Sequence, residues 1–315
     1  MQQQAILVVL SGFKSRFEGR VSQSMQGILL ALISTALFVV VGVMVRILSE
    51  RIDLFQILLF RQLVFITLLT PAILRSFDTL KRTSMARFHL LRITGAFLAL
   101  YLGFVTVSNI PLADATALGF TQVLFVAVIS RLFLAESVGT IRMLTLLIGF
   151  VGVLLVVQPG FDSPSLIYMM TGLTAALGAA VAVVCVRWLA KTEPRTVLLS
   201  YQALFVGLIT LVPSWCAWQW PTKNELLLLI SVGVISSLAQ WIGVTAYQKA
   251  EANIVANVEY VKILYSLILG YLLFAELPNV LSVFGVVVLL LSALVPWVWQ
   301  VVCSFRSSRP KAVFD

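Results

Sequence analysis

Two cations and a carboxylate sit inside long apolar runs of this chain. They are Arg61, Glu259 and Lys262. An ionisable group embedded in such a run costs several kcal/mol in a bilayer and is kept where it is paired, faces water or does work. Glu259 and Lys262 are three residues apart, so on a helix they share a face, with Asn257 and Tyr260 beside them. Two chemistries fit this pair. One is an internal ion pair that holds the helix in place. The other is a solute or proton site, with Lys262 facing a carboxylate or phosphate and Glu259 carrying a proton or an amine. Arg61 has two readings as well: it snorkels to the near interface, or it faces a cavity as an anion clamp. Gln122 lies 140 residues before Lys262 and is a further lining candidate. Tyr101, Trp241, Tyr260 and Tyr265 are the aromatic candidates, because such rings stack a solute while their polar tips orient it. Ordinary packing and anchoring at the membrane interface are the alternative for each aromatic.

The elements that must position these groups follow from composition. Of 315 residues, 60% are hydrophobic and only 11% charged, and the mean hydropathy is +1.04. A soluble domain is nearer half apolar and about a quarter charged. The chain therefore reads as an all-α polytopic membrane protein. Crossing the hydrocarbon takes about 20 mostly apolar residues. Ten runs qualify, near 25–47, 55–74, 88–107, 111–133, 139–158, 165–187, 196–213, 225–247, 253–274 and 279–300. They are continuous rather than alternating, which excludes a barrel.

The net charge of +9 has a plain source in this setting. With the N-terminus inside, only Arg46, Arg51 and Lys223 of the 22 Lys and Arg residues fall in outer segments, and Arg61 and Lys262 lie within helices. All the others are inside, so both termini are expected in the cytoplasm.

The run from Pro111 to Glu136 has a second version 140 residues later, from Glu251 to Glu276. The same shift carries Gln122 onto Lys262, Tyr101 onto Trp241, and Gly103 onto Gly243. Earlier in each half a shift of 141 carries Arg46 onto Arg187, and Arg61 falls on Gln202. Five spans per half is an odd number, so the second half enters from the opposite side. The expected fold is ten transmembrane helices as two inverted five-helix repeats, at 25–160 and 161–300. Cytoplasmic tails at 1–24 and 301–315 complete the division. Inverted repeats mark secondary transporters whose solute site lies near the midplane, between the halves.

The stretch RLFLAESVGTIRMLTLLIGFVGVLLVVQPG (Arg131–Gly160) and its second copy YLLFAELPNVLSVFGVVVLLLSAL (Tyr271–Leu294) resemble the EamA group of the drug/metabolite transporter superfamily. The resemblance implies a metabolite transporter of the bacterial inner membrane. Uptake of a cofactor-like solute such as riboflavin or S-adenosylmethionine, or export of amino acids or other metabolites, are the alternatives it carries. It also implies that Glu136 and Glu276 are architectural. Both copies read Ala-Glu where the family usually has Gly before the Glu.

Other functions find no residues. The single histidine, His89, stands before the third run, and no HExxH, paired intramembrane aspartates or Ser/His dyad can be assembled, so no catalytic or metal-binding residue is assigned and no enzyme is expected. Cys185, Cys216 and Cys303 are scattered, with no disulfide or metal spacing. No Walker or GxGxxG motif is present, and no cofactor is expected. The partners expected are a small-molecule solute and the lipid bilayer, with a homodimer as a further candidate and no nucleic acid.

Overall fold

A computed structural model of the chain describes residues 23–75, 85–133, 140–158, 165–189, 193–249, 258 and 261–307. Among them are ten helices. In chain order they are α1 (Gln23–Leu48), α2 (Leu54–Arg75), α3 (Ala86–Asn109), α4 (Leu112–Phe133), α5 (Thr140–Val157), α6 (Ser165–Leu189), α7 (Arg195–Cys216), α8 (Lys223–Lys249), α9 (Lys262–Phe274) and α10 (Val280–Ser307). Seven contain stretches long and apolar enough to cross a membrane, those of α1 to α4 and α6 to α8. Shorter apolar stretches lie in α5, α9 and α10.

The helices are apolar around most of their circumference, because lipid leaves no backbone N–H or C=O a partner outside the segment. Large apolar side chains therefore cover the outside, as with Leu68, Leu147, Leu211 and Phe284. The polar groups are inside: Gln26, Gln56, Arg61, Gln62, His89, Arg92, Ser200 and Thr210 are all buried. This inversion of the soluble pattern is what a hydrocarbon solvent selects.

Side-chain caps start several helices. Asp53 Oδ1 accepts the N–H of Phe55 at 2.9 Å before α2. Thr222 and Glu225 form a reciprocal capping box at α8, with the N–H of Thr222 donating to Glu225 at 2.7 Å. Asn279 Oδ1 takes the N–H of Ser282 at 2.7 Å to open α10. Three proline-containing helices run on past their prolines, α2 beyond Pro71, α7 beyond Pro213 and α10 beyond Pro296. In α7 the last turn closes with the N–H of Ala217 on the carbonyl of Pro213 at 3.1 Å.

Small residues set the tightest crossings, as expected where hydrophobic burial gives no drive between helices. At α3 on α6, a Cβ on Gly95 would lie 2.7 Å from the carbonyl oxygen of Gly178. At α5 on α10, a Cβ on Gly285 would lie 2.7 Å from the backbone N of Val156. At α1 on α8, Ser34 Oγ donates to the carbonyl of Ala239 at 2.8 Å. Several pairings recur under a shift of five helices: α3 on α6 answers α8 on α1, α2 on α8 answers α7 on α3, and α4 on α6 answers α9 on α1, whereas the contacts α4–α5, α1–α3, α2–α3 and α3–α4 have no counterpart of similar extent among the described residues. The pairs α2–α7, α4–α9 and α5–α10 are their own counterparts.

Two tiers of polar cross-links tie opposite ends of the bundle. One holds Arg46 with Glu276, Arg51 with Glu225, Gln56 with the backbone of Gln219, and Gln158 with Asn279. The other holds His89 Nε2 against Glu193 Oε2 at 2.6 Å and Lys249 Nζ on Gln26 Oε1 at 2.6 Å.

Candidate functional site

Between the helices lies a cavity of about 240 Å³, lined from α1, α2, α3, α4, α6, α8 and α9. Among the described residues, α5, α7 and α10 contribute nothing to it. Its room comes from small side chains: Gly42, Gly103, Gly119, Gly172 and the alanines 175, 176 and 179. A Cβ added at Gly103 or Gly119 would meet no atom within 4 Å, so both backbones border open space. Phe38 and Phe104 supply aromatic wall.

Three of the polar candidates meet here. Arg61, Gln122 and Lys262 reach the same cavity from α2, α4 and α9. Arg61 is 5% exposed and does not snorkel. Its Nε donates to Ser236 Oγ on α8 at 3.2 Å, and its Nη1 has no hydrogen-bond partner among the described residues. Lys262 opens the described part of α9. The backbone tightens there. The N–H of Val261 bonds the carbonyl of Val258 at 3.0 Å, and that of Leu264 bonds the carbonyl of Val261 at 3.0 Å. The Val261 carbonyl also accepts the N–H of Tyr265 at 3.3 Å, a shared acceptor of the kind common at helix termini. Beyond Lys262, Thr116 Oγ1 and Ser266 Oγ are 2.6 Å apart and join α4 to α9 at the cavity wall.

The aromatic candidates lie elsewhere. Tyr101 stacks on Phe55 with ring centroids 4.2 Å apart and on Phe97 at 5.8 Å. Tyr265 packs against Val39, Val43 and Leu112. Trp241 is 70% exposed on the outside of the bundle. Glu259, Asn257 and Tyr260 lie outside the described residues, as does Glu136.

Sequence reading passed over Ser236, Thr116, Ser266, Phe38 and Phe104. Hydroxyls at membrane depth were the available signal, but serines and threonines also bond their own helix, as Thr106 Oγ1 does with the carbonyl of Leu102 at 2.7 Å. Arg92 was missed too. It is 2% exposed, donating from Nη1 to the carbonyl of Leu198 at 2.6 Å and from Nη2 to Gln202 Oε1 at 2.8 Å. It does not line the cavity.

The acidic residue ending α9 is also explained. Glu276 pairs with Arg46 of α1, and its Oε2 accepts the N–H of Leu112 at 2.9 Å, at the start of α4. A carboxylate disfavoured by its own helix's C-terminus is thereby set on the N-terminus of another. The Arg46 guanidinium also lies 4.2 Å over the ring of Phe274.

The EamA-like transporter family model matches the chain twice, at residues 25–158 and 166–297. The chain is 29% identical over 271 residues to the pseudopaline exporter CntI of Pseudomonas aeruginosa, covering 85% of this chain and 94% of that one. It is 28% identical over 231 residues to a riboflavin transporter of Brucella anthropi, covering 71% and 81%. It is 25% identical over 250 residues to an S-adenosylmethionine uptake transporter of Rickettsia bellii, covering 79% and 85%. A solved crystal structure with 14% identity matches at a TM-score of 0.65 over 88% of this chain and 96% of that one, which speaks to the fold alone. The chain belongs to the EamA-like transporter family. It is a small-molecule transporter, not an enzyme, and a multi-pass protein of the bacterial inner membrane.

Proposed function

We propose that this EamA-like transporter works by alternating access between two inverted halves, α1–α5 and α6–α10, with its solute held in the cavity between them. One observation carries the reading: Arg61, Gln122 and Lys262 come from three helices to one cavity, and Gln122 and Lys262 are 140 residues apart, the repeat distance. Matched polar positions are what a site between inverted repeats requires. The helix pairs that recur under a shift of five and the double match of the family model support the repeat. The distribution of Lys and Arg supports cytoplasmic termini, which would put the Arg46–Glu276 end outside. Glu259 remains the candidate for proton or exchange coupling. The relatives include both an exporter and uptake transporters of polar organic solutes, so the class of cargo is better supported than its direction.

The test is a plug. Gly103→Phe fills the cavity from a position where added atoms meet open space. Cells producing the wild type or this variant are compared by mass spectrometry of extracts and medium. A solute redistributed only by the wild type is then followed in proteoliposomes. If the plugged variant moves that solute as fast as the wild type, the cavity is not the solute path. Thiol labelling of Glu50→Cys in a cysteine-free background, with a membrane-impermeant reagent on intact spheroplasts, tests the orientation. Protection from the outside sinks it.

A further inference from the structure

We propose that Arg61 is the contact for an anionic group of the transported solute, a carboxylate or phosphate oxyanion bound at Nη1. The inference rests on the cavity being the solute site. It begins with cost. Arg61 lies seven residues into α2, about 10 Å along the helix axis from its start. A guanidinium stays charged under all conditions that matter here, and burying it is expensive unless it is matched.

No Asp or Glu lines the cavity among the described residues. The acids that do form described ion pairs are committed elsewhere, Glu276 to Arg46, Glu225 to Arg51 and Glu193 to His89. The only described bond of Arg61 is from Nε to Ser236. Ser236 Oγ lies 3.2 Å from the carbonyl of Gly233, so its proton points there and a lone pair is left for Arg61. That bond fixes one edge of the guanidinium of a residue that lines the cavity, and leaves its Nη1 buried without a partner among the described residues.

Arg92 is the internal control. It is buried to the same degree, yet both its Nη groups lie on protein acceptors, its Nε alone lacks a described partner, and it stands away from the cavity. That is what a structural arginine looks like in this fold. If Arg61 only joined α2 to α8, one neutral donor would serve. A planar fork presented to a cavity matches the two oxygens of an oxyanion. Gln122, Thr116 and Ser266 on the facing helices offer neutral hydrogen bonds to the rest of the solute. The volume of about 240 Å³ is below the usual range for a drug-sized ligand, which sets the choice of small probes.

The experiment uses the full chain in lipid nanodiscs and reads thermal stabilisation by size-matched probes. Glutarate is set against glutaramide and cadaverine, and glycerol 3-phosphate against glycerol. Wild type, Arg61→Gln, Arg61→Lys and Gly103→Phe are compared. The wild type is expected to be stabilised by at least one anion and by none of the neutral or cationic probes. Glutarate against glycerol 3-phosphate decides between carboxylate and phosphate. Arg61→Gln weakens half-saturation about tenfold or more, and Arg61→Lys retains part of it because charge survives without the fork. Should Arg61→Gln fail to fold, the loss in Arg61→Lys carries the test.

No anion response, or a response undiminished in both Arg61 variants, overturns the proposal. So does equal stabilisation by glutaramide or cadaverine. If such a neutral or cationic response is abolished by Gly103→Phe, the cavity stands as the solute site and only the anion assignment fails. An anion response lost in Arg61→Gln but kept in Gly103→Phe overturns the cavity reading instead.

Discussion

Arg46 and Glu276 are 230 residues apart and ion-paired, and the same carboxylate accepts the N–H of Leu112 at 2.9 Å. One acid thus joins the ends of α1 and α9 to the beginning of α4. Both side chains are largely buried, at 22% and 17% exposure, so solvent screens the pair only in part.

Glu276→Gln and Arg46→Ala are each expected to destabilise the protein by about 1.5–3 kcal/mol, the range for hydrogen bonds to charged groups. Thermal or denaturant unfolding in detergent measures it. The double exchange Arg46→Glu with Glu276→Arg is the sharper test. It restores the pair but sets a cation on the N-terminus of α4, so it is expected to remain less stable than the wild type. Full recovery would mean that the bond to Leu112 contributes nothing.

Ala275 ends α9 in the left-handed region, with φ 52°, and the N–H of Glu276 then reaches back to the carbonyl of Gly270 at 3.2 Å. The family preference for glycine before this glutamate has its physical reason here: a Cβ is strained at positive φ, and glycine is not. Ala275→Gly is expected to raise stability by about 0.5–1 kcal/mol, the gain at the turn exceeding the extra freedom of the unfolded chain. A lowered melting temperature contradicts this.

Two glycines of α3 should respond oppositely to one added methyl group. Gly95→Ala forces a Cβ to within 2.7 Å of the Gly178 backbone oxygen, where neither helix can yield cheaply. A cost of about 1–3 kcal/mol is expected, as for overpacking. Gly103→Ala, facing the cavity, meets nothing and is expected to be neutral or slightly stabilising, since alanine is the better helix former. Equal melting temperatures for the two variants would remove the close α3–α6 crossing.

The helices were largely legible from the chain, because a span of hydrocarbon thickness demands a continuous apolar run and breaks the run at each end. α1, for example, was expected at 25–47 and is found at 23–48. The exceptions have local causes. The seventh run was expected to end near 213, but α7 continues to Cys216, and its last turn closes with the N–H of Ala217 on the carbonyl of Pro213. α10 runs to Ser307, beyond the expected end at 300.

The site was legible in part, and the division follows solvent. A charge in an apolar run announces itself by its cost, which is how Arg61 and Lys262 were singled out. An aromatic ring is at home in a core, at an interface or against lipid, so Tyr101 in its stack and Trp241 on the outer surface gave no signal of their direction. The pairings Arg61–Ser236 and Arg46–Glu276 were not legible, since they span 175 and 230 residues.

The sequence by itself determined the ten apolar spans, the approximate limits of most of them, its 140-residue internal repeat and the presence of costly charges at depth, because each follows from apolar length and periodicity along the chain. The tertiary structure alone decided which face of each helix turns inward. In lipid both faces of a helix are apolar, so rotation is set by contacts between helices, such as Gly95 on Gly178 and Ser34 on Ala239, and not by a hydrophobic stripe. That rotation is what aims Arg61 at a cavity, sets Arg92 on the backbone, and turns Trp241 outward.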